Sequence, residues 1–296
     1  MQELQHDRVS IQEVSLLLHN KTRLSLTILR LDQLHPIVSG NKWYKLQYHL
    51  KEAVQQNKKR IITWGGAWSN HILATAAACQ LMGLQSLGII RGEKPTNFSN
   101  TLQEAEKMGM QFCFLTRENY QQRIIPTGLL SQDDWEIPEG GYSALGAKGA
   151  STIANLFQSK DFTHIICAVG TGTMMAGILN AMPTTTQVIG IPVLKGSKAL
   201  DQAVKKLLVR PNENWNLIPG YEWGGYAKHP QGLLDFMNQW YLETNIPTDI
   251  VYTGKLCFAV NDLIKKNYFP ENSKLLIIHS GGLQGNRSLA TNTLRF

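Results

Sequence analysis

The stretch Thr163-His164-Ile165-Ile166-Cys167-Ala168-Val169-Gly170-Thr171-Gly172-Thr173 predicts the class of fold. Its first part is almost continuously apolar, as expected of a strand that is buried on both faces, and such strands are typical of parallel sheets. A turn rich in glycine and threonine then leads into a predicted helix. Because apolar strands and helix-length segments alternate along the rest of the chain, we expect an α/β protein with mostly parallel sheets.

The other predicted elements follow the same order. The further strands are expected at 24–31, 61–64, 87–91, 111–115, 187–191 and 275–279, and the helices at 44–56, 69–82, 101–108 and 149–158. The segment Ile137-Pro138-Glu139-Gly140-Gly141 reads as a glycine-rich loop. In sheets of this kind, ligands collect outside the carboxyl ends of the strands, so the turns after the strands are the places to search for a site.

Composition excludes several classes of protein. The chain has 296 residues, of which 43% are hydrophobic and 17% charged, so it is expected to be folded rather than disordered. It lacks an apolar run of about 18 residues, so we expect no membrane-spanning helix. The polar start, Met1-Gln2-Glu3-Leu4-Gln5, does not resemble a secretory signal, which favours the cytoplasm.

The charge and the cysteines give further limits. The net charge is +7, but the basic residues are scattered, and the densest run, Lys58-Lys59-Arg60, is interpreted as a solvated helix end. We therefore expect no nucleic-acid partner, while a modest positive field suits small anionic ligands. The four cysteines show no CxxC spacing, so buried free thiols are expected and no metal site is predicted.

Lys42 is the most informative single residue. It lies in Ser39-Gly40-Asn41-Lys42-Trp43-Tyr44-Lys45-Leu46, where a turn precedes a helical pattern. A lysine beside the free N–H groups of a helix start could form a Schiff base with a carbonyl cofactor that also carries an anion. Taken alone, the segment is also compatible with a solvated surface lysine.

Polar side chains follow three predicted strands. The turn 170–173 has the glycines and small hydroxyls of a phosphate site at a helix start, but it lacks a Walker lysine, and no acidic residue follows about 20 positions later as in dinucleotide-binding folds. Ser69 and Asn70 stand at a predicted helix start, where Ser69 is either a cap or a ligand-binding hydroxyl. Ser280 lies at the mouth of the predicted sheet, whereas His279 is expected to be a packed residue.

Together these motifs resemble the pyridoxal-phosphate enzymes of the tryptophan-synthase-β type, and among them the 1-aminocyclopropane-1-carboxylate deaminase and D-cysteine desulfhydrase family. The resemblance rests on the Lys42 motif, the three turns, the segment Ile137-Pro138-Glu139-Gly140-Gly141 and Val251-Tyr252-Thr253-Gly254-Lys255. It covers most of the chain. It implies two three-layer α/β domains with mostly parallel twisted sheets, in which 1–45 and 150–296 form the larger domain and 46–149 a smaller inserted one. The stretch 140–149 is the best candidate for a border.

The resemblance also implies a cofactor and the roles of particular residues. Pyridoxal 5'-phosphate would be bound covalently by Lys42, a small amino acid would be the substrate, and the protein would be a homodimer. Ser69 would bind the substrate carboxylate or transfer a proton, and Tyr226 and Tyr252 would flank the substrate. The remaining cofactor-binding residues implied by the resemblance are Lys45, Asn70, Gly170, Thr171, Gly172, Thr173, Thr253 and Ser280.

Two departures from the deaminases bear on the reaction. Where the deaminases carry a glutamate opposite the pyridine nitrogen, this chain has Thr253, and where they carry a leucine it has Ser280. Desulfhydrase-type relatives have hydroxyl residues at both places. A carboxylate keeps the ring nitrogen protonated and the ring strongly electron-withdrawing, whereas a hydroxyl does not. Elimination of a good leaving group needs less of this help than opening of an unactivated ring.

The sequence therefore predicts a lyase that converts D-cysteine to pyruvate, hydrogen sulfide and ammonia. The alternative within the family is 1-aminocyclopropane-1-carboxylate deamination. A non-catalytic α/β protein that binds a nucleotide or another phosphate at the turn 170–173 is an alternative from a different class. A cofactor-carrying regulator without turnover is a third.

Overall fold

The computed structural model describes residues 6–15, 23–38, 40–196 and 199–296. Ser39, the first residue of the Lys42 motif, lies outside the described residues. The described helices are α1 Asn41–Gln55, α2 Asn70–Met82, α3 Asn100–Lys107, α4 Arg117–Gln122, α5 Ala144–Ser151, α6 Thr173–Ala181, α7 Leu200–Lys205, α8 Gln231–Thr244 and α9 Thr253–Lys265. The described strands are β1 Ile11–Val14, β2 Ser25–Arg30, β3 Arg60–Gly66, β4 Gln85–Arg91, β5 Met110–Leu115, β6 Asp134–Ile137, β7 His164–Val169, β8 Gln187–Pro192, β9 Trp215–Leu217 and β10 Lys274–His279.

These strands form two sheets. The larger has the order β1-β2-β10-β7-β8-β9, and the smaller has the order β5-β4-β3-β6. Every pairing is parallel except that of β1 with β2. The prediction of an α/β fold with mostly parallel sheets is thus confirmed. All strands of the smaller sheet fall inside 46–149, although the domain borders themselves stay a prediction.

Strand β7 has the buried character predicted for it. All of its residues are buried. Ile165 and Cys167 belong to the hydrophobic cluster on one face of the larger sheet, whereas Ile166 and Ala168 belong to the cluster on the other face. Because side chains alternate along a strand, only a continuous apolar run can serve two cores at once.

Several element boundaries differ from those predicted. Helix α1 begins at Asn41 and not at 44, so Lys42 lies in its first turn. The helix predicted at 149–158 is instead α5, which starts at Ala144 and passes into a 3-10 turn, Thr152–Leu156. The glycines of α5 have low helix propensity and concealed its start. Arg60 begins β3 and pairs with Asp134 at 2.7 Å, so the basic run does not end as a solvated helix.

One glycine of α5 and one of α6 are required by packing. A Cβ on Gly149 would lie 1.8 Å from the carbonyl oxygen of Tyr44 in α1, and a Cβ on Gly177 of α6 would lie 2.6 Å from the carbonyl oxygen of Ala147. Helix α5 is therefore in direct backbone contact with both neighbours. This close packing sets the position of the Lys42 helix relative to helix α6, which follows the turn 170–173.

Two further findings concern side-chain chemistry and membranes. The four cysteines are unpaired, and three of them are buried, while Cys113 is partly exposed. Among the described residues, no helix combines the length and the apolar character needed to span a bilayer.

Candidate active site

A cavity of about 1050 Å³ lies at the carboxyl ends of strands from both sheets. It brings together most of the residues predicted from the sequence to form the site, namely Lys42, Lys45, Ser69, Asn70, Gly170, Thr171, Gly172, Tyr226 and Tyr252. Thr173, Thr253 and Ser280 are buried close to this region but do not line the cavity. The turns after β3 and β7 thus converge, as expected for a ligand site of a parallel sheet.

Lys42 is held at the cavity wall by the start of α1. Its Nζ donates a hydrogen bond to Oδ1 of Asn41 at 2.8 Å and lies 5.4 Å from the centre of the Tyr252 ring. Gly40, with φ of 61°, allows the chain to enter the helix against the backbone of Ser280, where a Cβ would lie 1.8 Å from the carbonyl oxygen. Burial lowers the pKa of Lys42 to about 8, while the charge of Asp249 opposes this shift.

The lowered pKa predicts how Lys42 reacts as a nucleophile. With limiting acetic anhydride, we expect acetylation of Lys42 to rise with pH and to reach half of its maximum near pH 8, because only the neutral amine attacks. Ordinary lysines, with a pKa near 10.4, are expected to lag by about two pH units. Peptide mass spectrometry of the cofactor-free protein measures both. A profile for Lys42 that matches those of exposed lysines would contradict the prediction.

Lys45 lies one helical turn after Lys42 and is also buried. Its Nζ donates to the carbonyl oxygen of Gly140 at 3.2 Å, and no carboxylate lies within 4.0 Å of it in the described part of the chain. Burial, and then the charge of Lys42, hold the pKa of Lys45 well below its usual value. A buried amine without a countercharge is costly unless an anion binds beside it.

The turn 170–173 joins β7 to α6. Gly172 precedes the helix with φ of 87°, a conformation that favours glycine, and its backbone lies against Val204. The hydroxyls of Thr171 and Thr173 are 2.8 Å apart, and Thr173 is fully buried. The free N–H groups of the α6 start and the Thr171 hydroxyl therefore border the cavity, as a phosphate site requires.

Ser69 and Asn70 begin helix α2. Oγ of Ser69 accepts hydrogen bonds from the N–H groups of His71 and Ile72, so the capping role is present. A hydroxyl has two acceptor sites and one donor, which leaves the O–H of Ser69 available to a ligand. Nδ2 of Asn70 lies 3.5 Å from the carbonyl oxygen of Gly282, and its buried Oδ1 has no partner among the described residues.

Tyr226 and Tyr252 lie on the wall contributed by the larger sheet. The hydroxyl of Tyr226 donates to the carbonyl oxygen of Trp68 at 3.0 Å, which connects this wall with the Ser69 turn. Burial raises the pKa of Tyr226 to about 12 and that of Tyr252 further. Both phenols therefore keep their protons at neutral pH and act as hydrogen-bond donors.

Thr253 is engaged by a residue that sequence reasoning missed. Asp249 is fully buried, and its Oδ1 accepts both the N–H and the hydroxyl of Thr253, at 2.8 and 2.7 Å. Its Oδ2 accepts the N–H groups of Val251 and Tyr252, at 2.9 and 3.0 Å. The carboxylate thus organises the start of α9. An aspartate ahead of a helix is the available sequence signal.

Lys255 is the second residue that was missed. It is fully buried, and its Nζ donates to the carbonyl oxygens of Val193, Glu222 and Gly225, at 3.4, 2.9 and 2.6 Å. These carbonyls belong to two loops beside the cavity, and Gly225 precedes Tyr226. Lys255 therefore positions the loop that carries this tyrosine. His279 is buried and lies 3.0 Å from Asp32, so it is a packed residue, as predicted.

The donor set fits a phosphorylated aldehyde. Lys42 supplies an amine of lowered pKa, Lys45 a buried amine without a carboxylate neighbour in the described residues, and Asn70 an Nδ2 donor whose contact with the carbonyl oxygen of Gly282 is long, at 3.5 Å. An aldehyde would satisfy the first group and a phosphate the second. The glycine-rich turn before α6 adds backbone donors to the phosphate end.

Comparison with known proteins agrees with this fit. A family model described as pyridoxal-phosphate dependent enzyme matches residues 17–281. The chain is 29% identical over 282 residues to a bifunctional D-cysteine desulfhydrase/1-aminocyclopropane-1-carboxylate deaminase of Arabidopsis thaliana, a match that covers 84% of this chain and 70% of that protein. It is 26% identical over 274 residues to a D-cysteine desulfhydrase of Serratia proteamaculans, covering 83% of this chain and 82% of that one. A solved structure of an ACC deaminase homologue superposes with a TM-score of 0.78 at 27% identity, covering 94% of this chain and 90% of the other.

Proposed function

The chain belongs to the pyridoxal-phosphate dependent enzyme family, and from this premise we propose that it eliminates the β substituent of a small amino acid, with D-cysteine as the favoured substrate. The observation that carries the proposal is the buried Lys42 amine of lowered pKa in one cavity with the turn 170–173. Membership of this family argues against the alternative of a nucleotide-binding protein without catalysis.

The residues would divide the work between cofactor and substrate. Lys42 would hold the cofactor's aldehyde, and its phosphate would lie among Lys45, Asn70 and the turn 170–173. When bound, the cofactor ring takes up the electron pair left on the substrate's Cα. Thr253 and Ser280 are the hydroxyl residues proposed to lie near the ring nitrogen. The hydroxyl of Thr253 already donates a hydrogen bond to Asp249.

Proton transfer would fall to the chain's own groups. The amine of Lys42 takes the Cα proton, since a base with a pKa near the working pH is the most effective. The free O–H of Ser69 donates to the substrate carboxylate, because both of its acceptor sites already serve the N–H groups of α2. Tyr252 keeps its proton and can donate a hydrogen bond to the departing sulfur.

The preference for D-cysteine over the cyclopropane amino acid is supported by the hydroxyls of Thr253 and Ser280. Neither can enforce a positive charge on the ring nitrogen as a carboxylate does. This leaves less stabilisation for a Cα carbanion, which suffices when a thiolate departs. Relatives named for the deaminase activity and relatives named for the desulfhydrase activity have similar identity to this chain, so an assay must decide.

The deciding assay uses purified, cofactor-loaded protein with D-cysteine, L-cysteine, D-serine and 1-aminocyclopropane-1-carboxylate. We expect sulfide and pyruvate from D-cysteine, with a kcat/KM at least tenfold above that for the cyclopropane substrate, a difference of about 1.4 kcal/mol. A reversed ratio, with 2-oxobutanoate as the main product, would establish the deaminase alternative. No turnover of any of them would favour a regulatory role.

We further propose a homodimer, as the resemblance implies, and a cytoplasmic location, which the unpaired cysteines favour. Sedimentation of the loaded protein should give about twice the chain mass of 33.2 kDa. A single species at the chain mass would refute the dimer.

A further inference from the structure

The cavity continues beyond the residues described so far. Its far part lies at the carboxyl ends of β4 and β5 of the smaller sheet. The lining residues there are Arg91, Gly92, Glu93, Arg117, Tyr120 and Gln121. We call these residues the distal subsite. None of them has a part in the proposed elimination of a thiolate.

The strand order sets the distance of the subsite from the reacting centre. Ser69 follows β3, Arg91 ends β4, and Arg117 follows β5, and these three strands are adjacent in the order β5-β4-β3. Neighbouring strands are about 4.8 Å apart, so Arg91 is displaced by about 5 Å and Arg117 by about 10 Å from the level of Ser69. A substrate side chain of two to four bonds is long enough to cover the distance of about 5 Å towards Arg91.

Arg91 is turned towards the cavity and supported there. Its guanidinium carbon lies 5.7 Å from the centre of the Tyr120 ring, and its Nη2 lies 3.7 Å from where a Cβ on Gly66 would stand. The guanidinium therefore lies beside Gly66, which precedes the Ser69 turn. Its charge also opposes the rise in the pKa of Tyr226, so it is within electrostatic reach of a residue proposed to flank the substrate.

Both arginines have unused binding capacity. Neither guanidinium has a carboxylate within 4.0 Å among the residues described. Arg117, Tyr120 and Gln121 are spaced by three and four residues, so they share one face of α4 and all reach the cavity. A planar guanidinium binds carboxylate and phosphate oxygens in pairs, which suits it to an anion.

Two carboxylates and a lysine complete the charges around the subsite. Burial, and then the charge of Glu139, raise the pKa of Tyr120, so the Glu139 carboxylate lies close to the subsite. Glu93 is the second carboxylate on this side, and Lys195, on the wall of the larger sheet, is a third cation beside the two arginines. Three cations therefore face two carboxylates, which leaves the region positive.

We propose that the distal subsite binds an anionic group at the end of the substrate's side chain, with Arg91 in contact and Arg117 behind it. The enzyme would then accept amino acids whose side chains carry a phosphate or a carboxylate, in addition to the small substrate named above. The turnover expected of such substrates rests on the proposed function, whereas the binding of an anionic side chain does not. The cavity volume of about 1050 Å³ is at the top of the range of roughly 300–1,000 Å³ that is typical of pockets for drug-sized ligands, so the cavity can hold the cofactor with a substrate longer than cysteine.

A phosphate ester at Cβ would also be eliminated. The Cα–H and Cβ–O bonds of O-phosphoserine break, and the phosphate leaves with the electron pair of the Cβ–O bond. One water then hydrolyses the enamine, so O-phosphoserine and water yield pyruvate, ammonia and phosphate. No oxidant or reductant is consumed.

The first experiment measures binding without turnover. D- and L-glutamate are compared with D- and L-glutamine, pairs that differ in the distal charge, by tryptophan-fluorescence titration of the cofactor-loaded protein. We expect one enantiomer of glutamate to bind about tenfold or more tightly than its amide, since a hydrogen bond to a charged group contributes about 1.5–3 kcal/mol. Equal binding of acid and amide would overturn the proposal.

Variants then assign the selectivity to the arginines. Arg91→Met should bring the ratio of glutamate affinity to glutamine affinity close to one, and Arg91→Lys should keep part of this preference. Arg117→Met should lower the ratio less than Arg91→Met does. Arg123→Met is the matched control, because Arg123 lies on the same domain, 4.1 Å from the Trp64 ring, and does not line the cavity. A ratio that survives in Arg91→Met, or falls equally in Arg123→Met, would refute the subsite.

Turnover separates the subsite from the reaction. O-phospho-D-serine should give pyruvate faster than D-serine, and Arg91→Met should reduce this advantage while D-cysteine turnover stays within about threefold of the unmodified protein. If no amino acid is turned over, the proposed function fails, whereas the glutamate ratio still reports on the subsite. If D-cysteine reacts normally and the glutamate ratio is one, the subsite alone is wrong.

Discussion

Replacement of Lys42 by alanine is expected to reduce kcat/KM by about 10³-fold or more, because one change removes both the cofactor's covalent anchor and the base at Cα. General acid–base catalysis alone contributes about 10²- to 10⁴-fold. The cavity's other buried lysine, Lys45, is directed at the carbonyl oxygen of Gly140 and cannot take over. Pyruvate release measures the rate, and borohydride reduction followed by mass spectrometry measures the covalent cofactor.

Two companion variants isolate the cause of this loss. Lys42→Arg keeps a positive charge but has no neutral amine at working pH, so it should be as inactive as Lys42→Ala. Lys206→Ala replaces an exposed lysine directly after α7 and should leave both measurements unchanged. If Lys42→Ala, without added amines, still yields a borohydride-trapped cofactor, the assignment of Lys42 is wrong.

Replacement of Asp249 by alanine is expected to lower the free energy of unfolding by about 4 kcal/mol. The change leaves the N–H groups of Val251, Tyr252 and Thr253 without their acceptors in a buried place. Each unsatisfied buried donor costs about 1–3 kcal/mol, of which relaxation and water recover a part. Denaturant unfolding of the cofactor-free protein measures the difference.

The matched control for Asp249 retains the shape of the side chain. Asp249→Asn keeps one acceptor oxygen and should lose about half as much stability. Asp235→Ala removes an exposed carboxylate that, among the described residues, accepts a hydrogen bond only from Gln231, and it should change stability by less than about 0.5 kcal/mol. If Asp249→Ala is as stable as the unmodified protein, the carboxylate does not organise the start of α9.

Local sequence determined much of the fold and one half of the site. A strand that serves two cores must be apolar throughout, so β7 could be recognised from its residues. Glycine before a helix start was recognisable because few other residues adopt the conformation of Gly172. Lys42 could likewise be recognised as a candidate site residue, because Gly40 and Asn41 mark a helix start directly before it.

Only the tertiary structure decided which side chains meet in the cavity. Lys255 is as polar in sequence as any surface lysine, yet three carbonyls from two distant loops surround its amine. From the sequence alone, the hydroxyl of Thr253 could contact a ligand, but in the structure it donates a hydrogen bond to Asp249. Arg91 and Arg117 become neighbours of one opening only because β4 and β5 pair in parallel. Strand and turn propensities act over a few residues, whereas burial, ion pairing and pKa depend on groups far apart in the chain, and the fold alone brings those together.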